Sequence, residues 1–161
     1  MSQRAYDADD FLRSVRTCIV EKTRCEALLR TLWAQCEKIT AAYGPLLPGG
    51  GDAHRDALLL TVAEQSDELL LRTQDYVRRI TAVEDFIATM PDVRHRAVLR
   101  LRYVDCKRWD DVRESLKEYG IYYEDAQIFR LHGKALQEAR RRFPGWAVKH
   151  PEILPKEDTK P

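Results

Sequence analysis

Apolar positions recur with helical spacing along the first half of the chain. Residues 7–43 contain neither Pro nor Gly, and their apolar positions follow steps of three, four or seven, with one slip between Ile19 and Cys25. This spacing predicts one amphipathic helix with a narrow apolar seam. The predicted seam comprises Leu12, Val15, Ile19, Cys25, Leu29, Leu32, Cys36, Ile39 and Tyr43.

A second helix is predicted to begin near Asp52 or Asp56 and to end at about Ala88. Its apolar positions alternate steps of three and four from Leu59 to Met90, with two polar interruptions, as in a heptad seam. Residues 44–51 separate the helices, because Pro lacks an amide hydrogen and Gly favours non-helical backbone. Neither helix can bury its stripe alone. We therefore expect a coiled-coil-like antiparallel hairpin, either a helical scaffold or an arm for dimerisation or partner docking, and we favour dimerisation.

Shorter helices are predicted after Pro91. The pattern indicates helices over about residues 92–104, over about 109–119, and from Glu124 or Asp125 to just before Pro144, with Gly120 breaking the chain before the third. Three short helices of this kind form a helix-turn-helix. The predicted fold is all-α. Residues 1–90 form the long hairpin arm, residues 91–145 the helix-turn-helix domain and residues 146–161 a flexible tail.

Charge is distributed unevenly along the chain although the net charge is only +1. Residues 1–90 carry 11 Lys and Arg against 14 Asp and Glu, whereas residues 91–149 carry 14 against 9. A basic segment behind an acidic one suggests that the second half faces a negatively charged partner.

The remaining composition argues against an enzyme, a secreted protein or a membrane protein. No signal-peptide pattern is present, and the longest aliphatic run, residues 57–63, is too short to span a bilayer. Four His lack metal-ligand spacing, and no glycine-rich phosphate loop occurs. We therefore expect a cytoplasmic protein with no catalytic residues, no metal, no cofactor and no membrane partner. The four Cys are interpreted as buried thiols: Cys18, Cys25, Cys36 and Cys106.

Two stretches resemble a known family. "MPDVRHRAVLRLRYVDCKRWDDV" resembles the start of the fourth conserved region of bacterial sigma factors, and "IFRLHGKALQEARRRF" resembles its recognition helix. Behind a long helical arm, they are similar to phage-encoded sigma-like regulators of the ArpU/RinA kind. The resemblance implies a DNA-binding regulator of phage or prophage transcription that acts in the cytoplasm of the bacterial host.

The resemblance also implies roles for individual residues. It assigns Trp109 and Val112 to the supporting helix and residues 127–134 to the recognition helix. This chain differs from the pattern at Arg113, where a small Ala is usual, and by the inserted turn sequence "EYGIYY". The residues expected to contact DNA are Arg100, Arg102, Lys107, Arg108, Tyr123, Gln127, Arg130, His132, Lys134, Arg140 and Arg141.

These residues divide into positioning and reading roles. Arg100 and Arg102 lie off the apolar face, where they can reach phosphates. Gln127 has the geometry to pair with adenine, and Arg130 or Lys134 with guanine. His132 is expected to contact a phosphate or to cap. The alternative for each Arg is a solvated side chain, and for the tyrosines of the turn it is packing.

The sequence thus predicts a sequence-specific regulator that binds double-stranded DNA, forms a homodimer through its N-terminal helices and has host RNA polymerase as a further partner. Two alternatives stay open. One is a small terminase subunit for phage DNA packaging, which also joins a helix-turn-helix to helical oligomerisation elements. The other is a coiled-coil adaptor that binds host RNA polymerase and never reads DNA.

Overall fold

The computed structural model describes residues 5–43 and 53–155, and every regular element in these ranges is helical. The all-α fold class is confirmed. The five α-helices in these ranges are α1 (Ala8–Tyr43), α2 (Ala53–Ala88), α3 (Val93–Leu99), α4 (Trp109–Leu116) and α5 (Asp125–Lys149). A π-helical turn, Arg100–Val104, continues α3, and the 3-10 turns Lys117–Tyr119 and Pro151–Ile153 follow α4 and α5.

Apolar periodicity placed the two long helices correctly. The start of α1 is fixed by a reciprocal capping pair, in which the Asp10 amide donates to Asp7 Oδ1 (3.0 Å) and the Asp7 amide donates to Asp10 Oδ2 (3.2 Å). The predicted turn at residues 44–51 lies outside the described residues. No helix among the described residues has the length and apolar character that crossing a bilayer requires.

The chain divides into two compact units. The first comprises the residues up to Cys18 and those from Arg79 onward, and the second comprises residues 19–78. The units therefore do not follow the predicted boundary at residue 90. The first turns of α1 and the last turns of α2 pack with α3, α4 and α5.

An aromatic cluster holds the ends of three helices together in the first unit. Phe11 of α1 and Phe86 of α2 are fully buried, and their ring centroids are 5.7 Å apart. Phe143 and Trp146 of α5 complete the cluster, with centroids 5.2 Å from that of Phe11. Each such pair adds about 0.5–1.5 kcal/mol beyond the area it buries. This cluster makes the start of α1 part of the same core as the predicted helix-turn-helix.

The same cluster explains why the predicted end of α5 is wrong. Pro144 lies inside this helix, which continues to Lys149. An interior Pro loses a backbone hydrogen bond and usually breaks a helix. Here the next turn is held by packing, because Trp146 contacts Phe11 and Phe86 and Ala147 is buried. Residues 146–149 of the predicted flexible tail are thus helical, and residues 156–161 lie outside the described residues.

The second unit pairs the remaining parts of α1 and α2. Residues 28–35 of α1 and 65–72 of α2 line one groove, which is the antiparallel arrangement of a hairpin. Cys25, Leu29 and Val62 are buried, whereas Leu32, Cys36 and Leu69 are only half-buried. The pair leaves a set of large apolar side chains exposed: Val20, Leu28, Trp33, Leu58, Leu60, Leu70, Leu71 and Val77.

The cysteines are all free thiols, but their environments differ. Cys18 and Cys25 are buried as predicted, and Cys36 is half-buried. The prediction was wrong for Cys106, which is exposed and has a φ of 53°. It follows the π-helical turn, where the chain reverses towards α4, and its Sγ lies 3.4 Å from the carbonyl oxygen of Tyr103.

Candidate nucleic-acid interface

The turn between α4 and α5 is a Schellman motif. The amide of Ile121 donates to the carbonyl of Leu116 (3.0 Å), and the amide of Gly120 donates to that of Lys117 (2.9 Å). Gly120 has a φ of 74°, in the left-handed region that glycine adopts without strain. Ile121 is buried, so the inserted sequence adds a residue to the core and not only a loop.

The supporting helix α4 is fixed on both sides. Val112 and Leu116 are fully buried, and Lys107 Nζ donates to Ser115 Oγ (2.7 Å). Arg113, at the position where a small residue is usual, donates from Nη1 to Asp125 Oδ1 (3.0 Å) in the first turn of α5. The larger side chain is therefore accommodated as an ion pair across the turn, away from the buried contact between the helices.

The start of α5 is a capping box. The Glu124 side chain accepts from the backbone of Gln127, and Gln127 Oε1 accepts from the amide of Glu124 (2.9 Å). A bidentate contact with adenine needs both the acceptor and the donor of a glutamine amide. Gln127 already uses its acceptor, so its predicted reading role would require the box to open.

One face of α5 is exposed and the opposite face is buried. Ile128, Leu131, Ala135 and Ala139 are buried. Arg130 and Lys134 form no hydrogen bond or ion pair with any described residue. The exposed stripe, which follows helical spacing, comprises Ala126, Arg130, Gly133, Lys134, Gln137 and Arg141.

His132 lies on the flank of α5, within an aromatic cluster. Its ring centroid is 5.8 Å from that of Tyr103 and 4.9 Å from that of Trp109, and its Nε2 is 3.1 Å from the Tyr103 hydroxyl. Burial lowers the pKa of His132, with a further contribution from Arg102. A neutral, half-buried ring braces the cluster and attracts a phosphate less strongly than a charged one would, and the predicted phosphate contact of His132 stays a prediction.

Arg102 is held in place by two contacts. Its Nη1 donates to the carbonyl of Lys107 (2.8 Å), and its guanidinium carbon lies 4.7 Å from the Trp109 ring centroid. These two contacts fix the position of Arg102. Its backbone lies in the π-helical turn, where the Asp105 amide donates to the carbonyl of Arg100, five residues earlier (2.9 Å). Arg100 is exposed and pairs with Glu84 (3.5 Å).

Several other predicted contacts have protein partners. Arg140 donates to both carboxylate oxygens of Asp9, at 2.9 and 2.7 Å, and these bonds lower the pKa of Asp9. Arg141 pairs with Glu138 (2.7 Å), and the Tyr123 hydroxyl accepts from Arg94 (3.2 Å). Arg108, which precedes α4, is exposed and has no partner among the described residues.

The structure adds two basic residues that the sequence reasoning missed. Arg13 and Arg16 lie on the second and third turns of α1, which the sequence assigned to the arm. They line a cleft of about 450 Å³ together with Arg102, Tyr103, Trp109 and His132. Their positions off the apolar seam of α1 mark them as surface residues, but nothing in the sequence brings them next to the residues of the π-helical turn, α4 and α5 that line the cleft.

No family model, curated protein or solved structure matches this chain. The geometry of the site is therefore the basis for the functional argument.

Proposed function

We propose that this protein binds double-stranded DNA and regulates transcription of phage or prophage genes, with α5 as the helix that enters the major groove. The observation that carries the proposal is the exposed, partly basic stripe on α5, a helix that follows α4 after the turn at Gly120. The major groove admits an α-helix, and its side chains then reach the base edges.

The composition of the stripe suits close approach to DNA. Ala126 and Gly133 lie on it and present little or no side chain, so they do not hold the helix away from the bases. Arg130 and Lys134 flank them, and neither has a side-chain partner to displace among the described residues. Either side chain can donate to O6 and N7 of guanine. We therefore assign base reading to Arg130 and Lys134, and helix capping to Gln127.

Phosphate contacts are proposed for side chains beside α5. Arg108 precedes α4, and its side chain has no partner in the described part of the chain; Arg102 is fixed against Trp109. Charged contacts of this kind position a protein on the duplex without reading its sequence. Arg100 and Arg140 are expected to contribute less, because each already pairs with a carboxylate.

A homodimer is proposed through the second unit. Its two helices leave a set of large apolar side chains exposed, as given above, and a two-helix pair is too thin to bury both of its faces. A second copy would cover part of this surface and would supply a second helix-turn-helix. Paired half-sites raise affinity by making the second contact intramolecular.

The decisive experiment is selection from a randomised duplex pool with the full-length protein. We expect a defined consensus, with Arg130→Ala and Lys134→Ala each weakening binding to it by roughly 1–3 kcal/mol and relaxing preference at one position. Arg30→Ala, an exposed α1 residue in the second unit, is the matched control and should leave the consensus unchanged. Affinity should also fall steeply with salt, because phosphate contacts release counterions.

Two results would contradict the proposal. A chain that binds no duplex at any salt concentration would remove the DNA-binding function and favour the adaptor. A closed ring of many copies in sedimentation, with no selected consensus, would favour the packaging subunit. A monomer that still selects a consensus would remove only the dimer.

A further inference from the structure

The cleft lined by Arg13, Arg16, Arg102, Tyr103, Trp109 and His132 is a separate binding feature of the first unit. We propose that it binds a phosphate group, with the backbone of a bound nucleic acid strand as the favoured source. This inference rests on the proposed DNA binding for its source but not for its chemistry. It extends the contact surface from the helix-turn-helix to the start of α1.

Three guanidinium groups line this cleft, and none of the three pairs with a carboxylate of the described chain. Most other arginines of the first unit do: Arg94 with Asp92, Arg100 with Glu84, Arg113 with Asp125, Arg140 with Asp9, and Arg141 and Arg142 with Glu138. Like charges placed close together repel one another. Such a cluster is favourable when an anion binds to it.

The nearby carboxylate of Asp9 attracts Arg13 but is already hydrogen-bonded to another arginine. It lies one turn before Arg13 on α1, but both of its oxygens accept hydrogen bonds from Arg140. This bidentate pair ties the start of α1 to α5, and Leu12, beside Arg13 in sequence, is fully buried. The backbone that carries Arg13 and Arg16 is therefore fixed relative to Arg102.

Phosphate is the anion that this set of groups fits best. Guanidinium N–H groups form short charge-assisted hydrogen bonds with phosphate oxygens, often in pairs. Arg102 is preorganised, because its Nη1 is held by the Lys107 carbonyl and its plane by Trp109, which leaves other N–H groups for a ligand. The cleft volume of about 450 Å³ exceeds that of a bare phosphate and leaves room for an attached sugar.

The first arm of the test measures the salt dependence of binding to a mixed-sequence duplex. Arg13→Ala and Arg16→Ala alter exposed side chains outside the core. Each should reduce the slope of log affinity against log salt by about 1, the value for one lost phosphate contact. Arg30→Ala, exposed on the same helix in the second unit, is the matched control and should keep the wild-type slope.

The second arm uses inorganic pyrophosphate as the probe and the three indole N–H resonances as the readout. Trp109 lines the cleft, whereas Trp146 lies in the aromatic cluster and Trp33 in the second unit. Titration should move the Trp109 resonance in the wild type and in Arg30→Ala. The movement should be much smaller in the double variant Arg13→Ala/Arg16→Ala.

The two arms separate the possible failures. If the wild type binds duplex but the Arg13 and Arg16 variants keep its slope, and pyrophosphate leaves Trp109 unmoved, the phosphate site is wrong and the DNA-binding function stands. If the slope is unchanged but the Trp109 shift depends on both arginines, the site holds a free phosphorylated molecule. If no duplex binds, DNA binding fails, and the Trp109 response alone confirms or overturns the phosphate site.

Discussion

Replacement of Gly by Ala is expected to have opposite effects on stability at two positions, Gly120 in the turn before α5 and Gly133 within α5. At Gly120 the φ of 74° is left-handed, which costs an L-residue with a Cβ about 1–2 kcal/mol. No heavy atom lies within 4 Å of a Cβ added there, so no steric clash adds to this cost. Alanine also restricts the unfolded chain, which offsets about 0.4–1 kcal/mol. We expect Gly120→Ala to destabilise the protein by about 1 kcal/mol.

The same substitution in α5 should have the opposite effect. Gly133 lies in the interior of this helix, and a Cβ added there also meets no atom within 4 Å. An exposed helical Gly is about 0.5–1 kcal/mol less favourable than Ala. Gly133→Ala should therefore stabilise the protein, and the two variants should differ by roughly 1.5–2 kcal/mol although each adds one methyl group.

Urea unfolding followed by circular dichroism and by indole fluorescence measures both effects. A change of about 1 kcal/mol moves the midpoint by roughly 0.3–1 M at ordinary urea sensitivities. Gly120→Asn is an informative third variant, because Asn tolerates the left-handed region better than Ala. If Gly120→Ala is at least as stable as the wild type, or if Gly133→Ala is the less stable of the two alanine variants, the backbone conformation of these glycines does not determine their effect on stability.

Three further predictions concern the first unit. Phe86→Ala should lower the free energy of unfolding by about 3–5 kcal/mol, since this ring is fully buried between three other aromatic rings; an effect below about 1 kcal/mol in urea unfolding would contradict that packing. A fragment beginning at Met90 should lack a stable fold by NMR, because it loses Phe11 and Phe86, whereas a chain with a short linker in place of residues 19–78 should fold. Asp9→Asn should lower the free energy of unfolding, and the difference from the wild type should be largest near pH 7 and should narrow as the pH falls below about 4. The pKa of Asp9 is lowered in the folded protein, so the folded state is stabilised by the ionised carboxylate, and this stabilisation is lost when the carboxylate is protonated. A difference that does not change with pH in urea unfolding would mean that the charge of Asp9 does not contribute to its pair with Arg140.

The parts of the fold that follow from local pattern were predictable, and those that follow from distant contacts were not. Helical spacing and the absence of Pro and Gly located α1, and Glu124 and Asp125 marked the start of α5. The cap that Gln127 forms there was not predicted, because the sequence interpretation gave this residue a base contact. The end of α5 was missed because Pro144 is normally a helix breaker, and the helix continues because Trp146 packs against Phe11 and Phe86, which are far away in sequence.

In the candidate interface, too, the features set by local pattern were predictable and those set by distant contacts were not. Side-chain type and helical spacing placed Arg130 and Lys134 on the exposed face of α5. They did not indicate that Arg140 is bound to Asp9, because no pattern within a helix reports a partner at the other end of the chain. Arg13 and Arg16 were missed for that reason.

The packing of α1 against α5 has a consequence for how the protein is made. Asp9 and Phe11 leave the ribosome long before Arg140, Phe143 and Trp146, yet they share one core. The first unit therefore cannot complete its folding during most of its synthesis, while residues 19–78 can already pair as a hairpin. Contacts so distant in sequence also slow folding, because a long loop must close before they form. During that interval Phe11 and Phe86 would be exposed to solvent, which makes the nascent chain a substrate for chaperones that bind apolar segments.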